Sequence, residues 1–121
     1  MTSDASHPRW PAAWARAALG TAVLAAVEPG PLHGYGIAGA LERRGFGRPK
    51  GGSLYPLLAA LEEDGALAAA WEPASAGPGR RTYTLTEAGR ARLARERQDW
   101  SALAAVLRSD ANEPEGTADD R

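Results

Sequence analysis

The chain has 121 residues, 24% of them charged, with no cysteine and a formal net charge of −1, a length that suits one domain with a single modest core. Without cysteine there are no disulfides, thiolate metal sites or cysteine nucleophiles; the two histidines, His7 and His33, form no His-x-x-His or His-Glu pair, so neither a metal nor another cofactor is expected. The net charge hides an asymmetry, because residues 1 to 108 carry 13 basic and 10 acidic side chains while the tail SDANEPEGTADDR sets Asp110, Glu113, Glu115, Asp119 and Asp120 against Arg121 alone.

Residues 1 to 10 contain Ser, Asp, His and Pro without periodicity and are expected to be disordered. Pro11 suits a helix start, and a first helix is predicted to run to Val27 with Leu19, Val23, Ala26 and Val27 as its stripe. Its apolar run AALGTAVLAAV, residues 17 to 27, is far short of the roughly 20 residues of a membrane span. A secretory core can be that short, but Asp4, Trp10, Trp14 and the stop Glu28-Pro29-Gly30 argue against one. A cytoplasmic protein without membrane association is expected.

The next stretch, GPLHGYGIAGALERRGFG, sets the ring of Tyr35 between Gly34 and Gly36 at the mouth of a second helix, Gly34 to Arg44, capped by Gly45. Such glycines let a backbone turn sharply or come close to something. A third helix, Gly52 to Asp64, has the cleanest helical stripe of the chain, Leu54, Leu57, Leu58 and Leu61. Period-two alternation follows in ALAAAW (Leu67, Ala69, Trp71) and RTYTL (Arg81, Tyr83, Leu85), separated by the turn-rich EPASAGPG. This predicts a two-stranded hairpin with a long tip. Thr86 is a candidate N-cap for a last helix reaching Arg108, after which residues 109 to 121 read as an acidic, disordered tail.

Three helices, a hairpin and a long helix describe a mainly α fold with a small β-hairpin: a winged helix-turn-helix over residues 11 to 85, followed by a helix over 86 to 108. In that arrangement the third helix enters the DNA major groove, and the hairpin tip flanks the duplex as a wing. The start of the third helix carries Lys50, Gly51, Gly52, Ser53 and Tyr55 but no acid, whereas Glu62, Glu63 and Asp64 gather at its far end. A helix N-terminus favours anions, so this end is expected to meet phosphate. Gly77, Gly79, Arg80 and Arg81 give the wing a flexible tip with positive charge beside it, and Tyr35 is expected to offer its phenol to the same backbone.

The segments GPLHGYGIAGALERRGFGRPKGGSLYPLLAALEEDGAL and GPGRRTYTLTEAGRARLA together resemble the PadR-type transcriptional regulators. In that family a HGYGI helix precedes an LYPLLxxLEExGL recognition helix and an RxYxLTxxG wing, and the resemblance spans residues 19 to 95. It implies a homodimeric repressor on a pseudo-palindromic operator, released by a planar aromatic small molecule. Tyr35, Ser53 and Tyr55 match DNA-contacting positions of the family, and Arg80 and Arg81 match its wing. The RPKGGS start, with Pro49, Lys50 and Gly51, departs from the Ser-Pro or Asn-Glu starts of many members. The single last helix resembles the smaller subfamily, in which it mediates dimerisation.

In that helix Trp100, Leu103, Ala104 and Leu107 recur at i, i+3, i+4 and i+7, a seam suited to a partner helix. Trp100 also resembles the position where multidrug-binding members stack flat ligands. No nucleophile with a base and no Walker-type loop is present, so no enzyme is expected. The alternative is a winged-helix module that binds protein rather than DNA; the acid-free start of the third helix and the arginines of the wing favour DNA.

Overall fold

A computed structural model describes residues 7–73 and 79–110. Its elements are α1 (Ala12–Val27), β1 (Leu32–His33), α2 (Gly34–Arg43), α3 (Gly51–Glu63), β2 (Leu67–Glu72), β3 (Arg80–Leu85) and α4 (Glu87–Arg108). The chain is mainly helical with a small antiparallel sheet and a separate C-terminal helix, as the sequence predicts.

Alanine-rich α1 begins after Pro11, whose carbonyl accepts from the N–H groups of Trp14 and Ala15 at 2.9 and 3.1 Å. It buries Val23, Ala26 and Val27 together with Leu24. Helices α2 and α3 both stop through the same pair of bonds. Phe46 N–H donates to Leu41 O and Gly45 N–H to Glu42 O; Ala66 N–H donates to Leu61 O and Gly65 N–H to Glu62 O. Gly45 and Gly65 take φ of 95° and 84°, values that only glycine adopts without strain, so the residue type dictates where each helix ends. Pro56, inside α3, offers no N–H to the carbonyl of Gly52, which lies in an exposed turn.

Leu54, Leu58 and Leu61 of α3 are fully buried, and with Val23, Leu24, Val27, Ile37, Leu41, Leu67 and Leu93 they form the centre of the core. Leu57 is only half-buried at its edge. Leu93 is the point at which α4 enters that core. Beyond it α4, about 33 Å long at the usual helical rise, runs with most of its surface exposed.

The hairpin is part of a three-stranded sheet of order β1-β3-β2. The sequence reading has two strands because two residues, Leu32 and His33, are too few to show a period. They pair with Tyr83 and Thr82, and Thr82 is thereby buried beside the expected inward residues Tyr83 and Leu85. The tip of the hairpin, Gly77 included, lies outside the described residues, as do residues 1–6 and the acidic tail from 111 onward. The expected disorder of residues 1 to 10 does not extend through Arg9 and Trp10. Arg9 N–H donates to Gly45 O at 2.7 Å and Trp10 packs on Phe46 with ring centroids 5.4 Å apart. An aperiodic segment hides such docking, because its partner lies in a distant loop.

Candidate nucleic-acid interface

The two glycines around Tyr35 have different causes. A Cβ on Gly34 would lie 2.5 Å from the Tyr55 hydroxyl and 2.7 Å from its Cε1, so Gly34 is the floor on which the Tyr55 ring rests. A Cβ on Gly36 would crowd Leu32 Cδ2 at 3.2 Å. The N–H of Gly36 donates to His33 Nδ1 at 3.2 Å, which makes His33 the N-cap of α2. Tyr35 itself is 73% exposed and Tyr55 51% exposed. The Arg48 guanidinium lies 4.6 Å from the centroid of the Tyr35 ring and bonds Glu42 at 2.7 Å. Arg48 therefore holds the phenol by its face.

His33, Tyr35, Tyr55, Arg80, Arg81 and Tyr83 line a cleft of about 610 Å³ between the start of α2, α3 and the wing. Four of the residues singled out in the sequence, Tyr35, Tyr55, Arg80 and Arg81, thus meet in one place. Lys50, the N-cap of α3, and Gly51 and Ser53 in its first turn are exposed beside it, and a Cβ on Gly51 would touch the Tyr55 ring at 3.5 Å. Among the described residues, no acidic side chain lines the cleft. Glu62 stands at its rim, where both carboxylate oxygens accept from one guanidinium nitrogen of Arg81 at 2.8 Å. That hydrogen bond, with the attraction of the carboxylate, pushes the Arg81 guanidinium above its ordinary range. Arg80 approaches His33 Nε2 at 3.0 Å.

A second surface lies along α1 and α4. Trp100, Leu103, Ala104 and Leu107 do share one face, joined by Ala13, Trp14 and Ala17 of α1 around an apolar cleft of about 380 Å³. Trp14 is 64% exposed, Leu103 46% and Trp100 36%. Trp100 is less exposed because its Nε1 donates to Thr21 Oγ1 at 2.9 Å. Thr21 donates in turn to Glu96, whose other oxygen accepts from Arg92 Nε at 2.8 Å. Arg92 reaches Asp64, the C-cap of α3, at 3.5 Å.

Sequence reasoning overlooked His33, Arg48 and Trp14 as members of these surfaces. For Trp14 a signal existed: Trp10, Ala13, Trp14, Ala17 and Thr21 recur at helical spacing on a face separate from the buried stripe. For Arg48 none did, since its partners Glu42 and Tyr35 belong to another element. Among the described residues there is no group of His, Asp or Glu side chains able to hold a metal ion, and no helix long and apolar enough to cross a membrane.

A family model described as "Transcriptional regulator PadR-like family" matches residues 23–95. The chain is 37% identical over 89 residues to the Transcriptional regulator Rv3488 of Mycobacterium tuberculosis, covering 74% of this chain and 81% of that one. It is 40% identical over 81 residues to an uncharacterized 37.1 kDa protein in transposon TN4556 of Streptomyces fradiae, of which it spans only 22%. The crystal structure of a PadR family transcriptional regulator from Eggerthella lenta superimposes with a TM-score of 0.72 at 27% identity, covering 78% of this chain and 82% of that one.

Proposed function

This chain belongs to the PadR-like family of transcriptional regulators, and we propose on that premise that it is a homodimeric repressor that binds a pseudo-palindromic operator. It is a regulator and not an enzyme, and regulators of this family bind DNA. The observation that carries the finer reading is the meeting of Tyr35, Tyr55, Arg80 and Arg81 around one acid-free cleft beside the start of α3. In this reading α3 enters the major groove by its N-terminal turn. Lys50, the Gly51 backbone and Ser53 meet phosphate and base edges there, while Tyr35, Tyr55 and the wing arginines hold the flanking backbone.

Residues 11 to 85 act as the DNA-binding unit and residues 86 to 108 as the dimerisation helix. Two copies bury Trp100, Leu103, Ala104 and Leu107 against each other, and Trp14 extends the face. Leu103 and Leu107 are the large exposed apolar groups that support this. A planar aromatic effector stacks on Trp100 and releases the DNA by favouring a dimer whose recognition helices are wrongly spaced. Titration of promoter-proximal duplex at several salt concentrations tests the DNA reading. Quenching of tryptophan emission by planar ligands, lost in Trp100→Ala, tests the effector site. A module that binds protein through the same helix would leave the duplex unbound.

A further inference from the structure

His33 is placed so that it cannot satisfy both of its neighbours. Its Nδ1 accepts from Gly36 N–H at 3.2 Å, and a neutral imidazole has only one nitrogen able to accept. The tautomer that caps α2 therefore carries its proton on Nε2. Nε2 stands 3.0 Å from an Arg80 guanidinium nitrogen, which is also a donor in every state. In that tautomer two donors face each other across the mouth of the cleft, with the phenols of Tyr35 and Tyr55 beside them. Glu72 is the cross-strand partner of Arg80, yet the Arg80 guanidinium is directed to the imidazole.

A donor pair of this kind lacks a shared acceptor. We propose that His33 Nε2–H and Arg80 together form a phosphate subsite, in which one oxygen of a DNA backbone phosphodiester accepts from both. This deepens and rests on the DNA-binding reading. His33 is then a contact residue as well as the cap of α2, and its two nitrogens divide the tasks. Nδ1 fixes the start of the helix that carries Tyr35, and Nε2 reads the phosphate. Arg80 supplies the charge and His33 a directional bond.

Two measurements test this. The nitrogen-15 resonances of the ring, told apart from those of His7 by a His33→Asn variant, should show an unprotonated Nδ1 and a protonated Nε2 in the free protein; the reverse tautomer overturns the proposal. Asparagine is itself a good helix cap but too short to reach the cleft mouth. His33→Asn should therefore keep the thermal midpoint and lower duplex affinity by about three- to tenfold per half-site, the worth of one hydrogen bond. The slope of log affinity against log salt should stay unchanged in that variant, whereas Arg80→Ala should flatten it by about two for a dimer. Unchanged affinity in His33→Asn contradicts the subsite. Were the parent protein to bind no duplex, the DNA reading would fail by itself. Inorganic phosphate added to the free protein would then decide the donor pair, with a shift of the Nε2 resonance expected and its absence overturning the proposal.

Discussion

The ring of Tyr55 rests on Gly34, with its hydroxyl 2.5 Å from where a Cβ would stand. The obstructed atoms are the far end of a half-exposed side chain, so an added methyl group would push the ring outward rather than break the core. Gly34→Ala should thus change stability by no more than about 0.5 kcal/mol, since Gly34 is the first residue of α2, where the helix preference of alanine counts for less than in an interior. It should also weaken duplex binding by about fivefold, the loss of roughly one hydrogen bond. Thermal unfolding and a duplex titration on the same preparation check both parts; normal affinity would remove Tyr55 from the interface.

Arg81 is held by Glu62 in the free protein, so it meets phosphate only by exchanging one anion for another. Arg81 is exposed and Glu62 partly so, and stability should change by no more than about 0.5 kcal/mol on Glu62→Gln. Duplex affinity should rise in that variant. Weaker binding with an unchanged salt slope would instead make the pair a strut that sets the angle of the wing.

Glu96 links the two helices of the second surface. Burial raises its pKa, but the hydrogen bond from Thr21 and the bond and charge of Arg92 outweigh that, and the carboxyl sits below its usual range. A depressed carboxyl contributes stability that is fully present above its unfolded value and is lost as pH falls through its folded value. The contribution should therefore disappear only in acid, below the ordinary glutamate range, and Glu96→Gln should flatten that part of the stability profile. Thr21→Val, which strips both Glu96 and Trp100 of a partner, should cost about 1–3 kcal/mol by chemical denaturation. An unchanged acid profile in Glu96→Gln would place the pH dependence elsewhere.

Leu103 is half-exposed on α4, and hiding the remaining half of such a side chain between protomers is worth roughly 1 kcal/mol. Leu103→Asp should give monomers in sedimentation and lose duplex binding, because half-site spacing needs two linked recognition helices. A variant that still sediments as a dimer would put the interface elsewhere.

The helices were legible because their signals are local: the leucine stripe of α3, Gly45 and Gly65 at the ends of α2 and α3, and Thr86 as cap of α4, whose Oγ1 accepts from Gly89 N–H at 2.9 Å. The place where Tyr35, Tyr55 and the wing arginines meet was legible only in outline, through the order of the elements, the acid-free start of α3 and the family pattern. What escaped is relational. The strand Leu32–His33 exists because β3 pairs with it, Arg48 matters because the Tyr35 ring lies under it, and the double engagement of His33 needs Arg80, 47 residues away. None of these partners is within a helical turn or strand repeat of the residue it explains.

The most direct test of the account is the salt dependence of binding to duplex DNA from the promoter regions next to the gene, measured for the parent protein and for Arg80→Ala. With about three phosphate contacts per protomer, log affinity should fall with log salt at a slope near −5, flattened by about two in the variant, with the same duplex still preferred. A complex indifferent to salt, or no complex with any of those duplexes, would contradict it.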